Sequence, residues 1–108
     1  MAKRKFTSRA TRVDVSTGAV LYLADNNHLD CKIINIASSG VLVSSPRMVA
    51  PRTRLRLALT LPKVGKPLAV EGIVMRLGSK SGRTLLGIQF VEQTGVFMAA
   101  FNKFLAWY

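Results

Sequence analysis

The groups in this chain best suited to chemistry are cations near its start and one short polar run. Lys3, Arg4, Lys5, Arg9 and Arg12 crowd the first twelve residues. A guanidinium is planar and permanently charged, and it can be bidentate to a phosphate or to the O6 and N7 of a guanine. Further on, Asn35-Ile36-Ala37-Ser38-Ser39-Gly40 gathers an amide, two hydroxyls and a glycine. Taken alone, that run is an ordinary β-turn, in which Asn, Ser and Gly are the expected residues. Other chemistry is thin. His28 follows Asn26-Asn27 in a hairpin-turn setting, and no Cys, Ser or Asp partner is identifiable by spacing. Asp14, Asp25, Asp30, Glu71 and Glu92 are scattered, with no pair for acid and base work. The lone Cys31 makes no disulfide framework and joins no cluster with metal-ligand spacing. No catalytic constellation and no metal site are expected, and the chain is taken as non-enzymatic.

These residues need a scaffold, and the pattern supplies one. With 108 residues, 49% of them apolar, the chain has room for one domain with a real core. Residues 1–12 hold only Phe6 as a large apolar side chain and are expected to be a flexible basic arm, with the domain spanning 13–108. Short β-rich runs follow from Gly18 to Asp25, His28 to Ile36, Val41 to Ser45, Thr53 to Leu61, Leu68 to Leu77 and Thr84 to Val91. Turn residues separate them, which suggests a six-stranded antiparallel barrel.

Leu55, Leu57, Leu59 and Leu61 alternate with Arg54, Arg56, Ala58 and Thr60, one face for the core and a basic face for water. Leu68 and Val70 share one parity and Ile73, Met75 and Leu77 the other, so a bulge at Gly72 is expected to turn all five inward. Cys31 shares strand parity with Ile33 and Asn35, and is expected as a small wall residue near the face Asn35 occupies. After Val91 the period changes: Phe97, Met98, Phe101, Phe104, Leu105 and Tyr108 form a helical stripe opening at a Thr94 cap. The helix, about 94–108, is expected to pack on the barrel. Trp107 lies on a neighbouring face and leaves two readings open, a wrap around the barrel edge or a dimer or partner contact.

Sixteen basic residues against five acidic ones, net +11, imply an anionic partner. No apolar run approaches the roughly eighteen residues of a membrane span, and Met1 to Lys5 is followed by polar Thr7 and Ser8. A cytoplasmic protein without membrane insertion is expected.

Arg12, Asn35 and Gly40 fall where the PilZ domain family, bacterial receptors for cyclic di-GMP, carries its two-part signature: Arg, three residues, Arg, a spacer, then Asp or Asn, any residue, Ser, two residues, Gly. Two positions depart, Ser8 for the first Arg and Ala37 for the Ser. Val41-Leu42-Val43, Leu59-Thr60-Leu61-Pro62, Gly72 to Arg76 and Leu86 to Phe90 resemble the family's strands in the family's order, so the resemblance covers nearly the whole chain. It implies a barrel with a terminal helix, cyclic di-GMP as ligand and no cofactor. It also implies roles: arm arginines fold over a ligand on the barrel wall, Asn35 bonds a guanine edge, a hydroxyl adds a polar contact, and Gly40 lets the backbone come close.

The departures have magnitudes. A neutral hydrogen bond lost at Ala37 is worth roughly 0.5–1.5 kcal/mol, and a charge-assisted one lost at Ser8 about 1.5–3 kcal/mol. Ser38 is next door to Ala37. Arg9 stands one residue late for the first arginine, about 3.3–3.6 Å along an extended chain. Lys5 to Arg9 has the right spacing with a point charge in place of a fork. The expected ligand-binding set is therefore Arg12, Arg9, Asn35, Gly40 and Ser38, with Lys5, Arg4 and Ser39 as secondary members. The implied function is a receptor that passes its signal to a protein partner.

The alternative is an adaptor that has lost the ligand and binds an acidic partner through Arg52, Arg54 and Arg56. An RNA-binding barrel is disfavoured: of eight aromatic residues five lie in the last twelve at helical core spacing, leaving Phe6 and Tyr22 as the main stacking platforms.

Overall fold

The computed structural model describes residues 13–106. Arg4, Lys5, Arg9 and Arg12 of the expected site, together with Trp107 and Tyr108, lie outside the described residues. The elements are β1 (Val13–Asp14), β2 (Gly18–Tyr22), β3 (His28–Ala37), β4 (Gly40–Ser45), β5 (Arg54–Leu59), β6 (Leu68–Lys80), β7 (Arg83–Glu92) and α1 (Gly95–Leu105). All six expected runs are strands, and β1 is an addition. Every ladder is antiparallel. The order is β1-β3-β2-β5-β6-β7-β4, and a further β3–β4 pairing closes β2 to β7 into a six-stranded barrel. β2 stops at Tyr22, short of Asp25, because Asp25 accepts from the Asn27 N–H and side chain and Asn26 turns to φ 67°.

Alternation fills the interior where it is clean. Leu55, Leu57 and Leu59 are buried and Arg54 and Arg56 exposed. β6 corrects the expectation of a bulge at Gly72. Leu68, Val70, Gly72 and Val74 face inward in unbroken alternation, whereas Met75 and Leu77 are 42% and 39% exposed. The register does shift against β7, but the extra residues are Val91 on β7 and Met75 on β6. Gly72 answers a packing need instead: a Cβ there would stand 2.6 Å from Ile88 Cγ2 and 3.0 Å from Leu57 Cδ1.

β3 carries a second correction. Its register slips between Ile33 and Asn35, so Ile34 is the extra residue. Leu29, Cys31 and Ile33 face the core before the slip, and Ile36 does after it. Asn35 therefore points outward, to the face opposite Cys31. Burial pushes the Cys31 thiol above its ordinary 9.0.

The helix forms as its stripe requires. Thr94 Oγ1 accepts from the Phe97 N–H at 3.0 Å, satisfying one of the donors a helix start leaves open. Phe97, Phe101 and Phe104 are at most 1% exposed, and Met98, Ala100 and Leu105 pack against the same cluster. Phe97 meets Phe90 of β7 edge to face at 5.1 Å, so the helix is seated where β7 ends. No helix among the described residues is long and apolar enough to cross a membrane.

Candidate functional site

The polar run ends β3 and begins β4. Ala37 pairs with Gly40, leaving Ser38 and Ser39 as a two-residue turn. β7 and the residue that follows it hold that turn: Gln93 Nε2 donates to the Ser38 carbonyl at 2.6 Å, and the Phe90 N–H of β7 to the Ser39 carbonyl at 2.9 Å. Gly40 is required on steric grounds, since a Cβ would collide with the Ile88 carbonyl oxygen and sit 3.4 Å from Gln89 Cα. The close backbone approach at this glycine is thus between β4 and β7.

Beside the turn, the outer barrel wall has an open depression of about 620 Å³. Asn35, Ser39 and Gly40 line it, joined by Val41 and Leu42 of β4, Met75 and Arg76 of β6, and Gly87, Ile88 and Gln89 of β7. Ser38 shares the turn but not the lining. Ala37, at the signature's serine place, is 1% exposed, absent from the lining and outside the main apolar cluster.

Two of these polar residues, Arg76 and Gln89, were not singled out for the site from the sequence. They are forty and more positions from Asn35, and only the strand order β6-β7-β4-β3 gathers them. Arg76 pairs with Gly87, and its Cβ and Cγ stand 3.4 and 3.9 Å from where a Gly87 Cβ would lie. The missing side chain opens the wall beneath the arginine stem. Gln89 is opposite Gly40 and exposed.

β1 supplies the remaining connection. Val13 pairs with Ile36 and Asp14 with Asn35, and Val15 N–H donates to the Ile34 carbonyl at 3.1 Å. The point where the basic segment joins the barrel is thus fixed beside Asn35. A cationic fork, two amides that each donate and accept, and a tethered run of cations together suit a ligand with negative charge and hydrogen-bonding edges. A second depression of about 620 Å³ lies over Tyr22, Arg54, Arg56 and Glu71 and holds none of the expected ligand residues. Among the described residues no group of three or more His, Cys, Asp or Glu could hold a metal ion.

Comparison with known proteins decides the family, because the PilZ domain model matches residues 3–107. The chain belongs to the PilZ domain family. No curated protein sequence matches it significantly. Among solved structures, this PilZ domain is similar to the PilZ domain with c-di-GMP of YcgR from Escherichia coli, at TM-score 0.72 and 11% identity over 91% of this chain and 88% of that one. It is also similar to the inhibitor of motility MotI/DgrA of Bacillus subtilis, at 0.73 and 16% over 94% of this chain and 51% of that one. A longer YcgR structure from Escherichia coli, in complex with c-di-GMP, matches at 0.70 and 12% over 91% and 44%. The chain thus spans about half of MotI/DgrA and less than half of that YcgR chain. At such identities the likeness speaks for the fold.

Proposed function

We propose that this PilZ domain is a cytoplasmic, non-enzymatic receptor for cyclic di-GMP that passes its signal to a protein partner. The observation that carries the reading is the β1 pairing, which ties the basic segment to the rim of a depression containing Asn35, Arg76 and Gln89. Arg12 is one peptide bond from Val13, and Arg9 three residues further, so both guanidinia are within reach of a ligand on that wall. In this reading the segment 1–12 closes over the dinucleotide, Arg12 and Arg9 taking phosphate or guanine as forks. Asn35 and Gln89 meet guanine edges with their amides, and Arg76 adds charge from the floor. Ligand binding then orders the segment and changes the surface offered to the partner. The c-di-GMP in the similar YcgR structures supports this choice of ligand.

Calorimetric titration with cyclic di-GMP tests the proposal. The parent should bind, Arg12→Ala should lose binding by about tenfold or more, and Arg9→Ala and Arg76→Ala should each weaken it, by the worth of a charge-assisted bond. Absence of heat from the parent at high ligand concentration would remove the receptor reading and leave the ligand-free adaptor. If all three variants titrate like the parent, the assigned roles are wrong.

A further inference from the structure

β6 outruns one of its neighbours. Its ladder with β5 stops at Arg54 and Ile73, prolonged only by Arg52 N–H to the Val74 carbonyl at 2.7 Å and Val74 N–H to the Thr53 carbonyl at 3.0 Å. Its ladder with β7 continues to Lys80 and Arg83. Among the described residues, no strand pairs with the other edge of β6 from Met75 to Lys80, and all six of those residues are exposed. β7 is covered on its far side, where Ser45 of β4 pairs with Thr84. The hairpin is therefore supported on one side and open on the other.

The open side has a defined pattern. Ser81 and Gly82 take φ 54° and 78°, so Lys80 and Arg83 close a primed two-residue turn as a hydrogen-bonded pair. Counting back, Gly78 also spends its N–H and C=O on β7, while those of Leu77 and Ser79 point away. Arg83 stiffens this arrangement, donating to Ser44 Oγ at 2.6 Å and to the Ser44 carbonyl at 3.1 Å. An edge already held in a paired, extended strand lowers the ordering cost of an added strand.

Charge selects what can be added. Arg76 and Lys80 lie on the edge strand, Arg83 across the turn, and Arg52 at the corner just before β5 begins. No Asp or Glu occurs from Gly72 to Val91 or from Val41 to Val70. Such cations repel a second copy of the same edge, and they complement a strand carrying carboxylates. Exposed Met75 and Leu77 offer apolar contacts to the same strand.

We propose that the edge Met75–Lys80 receives an extended acidic segment of a protein partner, added as a strand by backbone hydrogen bonds. The inference does not depend on cyclic di-GMP. Its test is amide hydrogen exchange, read residue by residue by NMR on the full chain, with a synthetic eight-residue peptide alternating Glu and Val. The Leu77 and Ser79 amides should slow by about tenfold or more, with Gly78 and Lys80 little changed. A Lys and Val peptide of equal length should have no effect. Ser79→Pro removes an outward donor and no β6–β7 bond, so it should abolish the protection. Lys80→Glu, which leaves the backbone intact, should weaken it even where the proline variant folds poorly. Failure of the acidic peptide to slow Leu77 and Ser79 would overturn the proposal, as would equal slowing by the basic peptide. So would protection that grows with protein concentration alone, which would mean a second copy. Perturbation of Lys80 and Arg83 by single-stranded RNA, with none from the acidic peptide, would assign the hairpin to nucleic acid instead.

Discussion

Two hairpins of this barrel have the same loop length and opposite mechanics. Ser38-Ser39 joins β3 to β4, and Ser81-Gly82 joins β6 to β7. The first has its turn carbonyls tied to Phe90 of β7 and to Gln93 just beyond it, and a following glycine pressed against the Ile88 carbonyl. The second reaches its shape through positive φ at both central residues, and a Cβ on Gly82 would meet nothing within 4 Å. Tertiary contacts shape one turn, and backbone chemistry shapes the other. The fixed turn is where the depression forms, while the open one carries the free strand edge. A glycine beside a turn thus has two distinct uses, close approach at Gly40 and left-handed backbone at Gly82.

The largest effect that sharpens this contrast is at the glycines. Gly40→Ala forces β4 and β7 apart and should cost about 3 kcal/mol or more, since the clash is with backbone that cannot rotate away. Gly82→Ala meets only the left-handed strain of about 1–2 kcal/mol. Urea unfolding of the two variants compares them directly, and equal losses would dissolve the distinction.

Ala37→Ser comes next. A hydroxyl placed where Ala37 is 1% exposed should lower stability by about 1–3 kcal/mol if unpaired, while restoring the family serine should tighten cyclic di-GMP by about three- to tenfold. Melting and calorimetry on one sample check both signs; weaker binding would mean that the turn does not present position 37 to ligand. Gln93→Ala should cost about 1 kcal/mol and speed exchange in the β3–β4 turn while leaving the β6–β7 turn unchanged.

The smallest effect is on pH. Cys31, on the strand leading into the fixed turn, has a folded pKa raised above 9.0 by burial. The unfolded thiol ionises first, so the Cys31 contribution is intact below pH 9.0 and is lost as pH rises from there through the folded value. The urea midpoint should therefore fall above that pH, with a slope that Cys31→Ala reduces.

Legibility followed locality. The Thr94 cap and the Phe97, Phe101 and Phe104 row were readable because a helix repeats within a few residues. The Leu55, Leu57 and Leu59 face was readable because arginines mark its other side. β6 was misread because Ile73 and Met75 make its outer face apolar as well, and parity then has no polar reference. Strict alternation passes over the slip at Ile34, although polar residues change parity there, from Asp30 and Lys32 to Asn35. The signature residues Asn35 and Gly40 were visible as a motif, but Arg76 and Gln89 join them only across strand ladders.

By itself, the sequence determined the strand runs, the capped helix, the family signature with its two departures and the excess of cations, all of which depend on neighbours along the chain. Tertiary structure alone decided which face each residue takes after a bulge, which distant side chains share the depression and which strand edge stays open. Those depend on register between strands, which is set by the sum of all inward packing and cannot be read from any one segment.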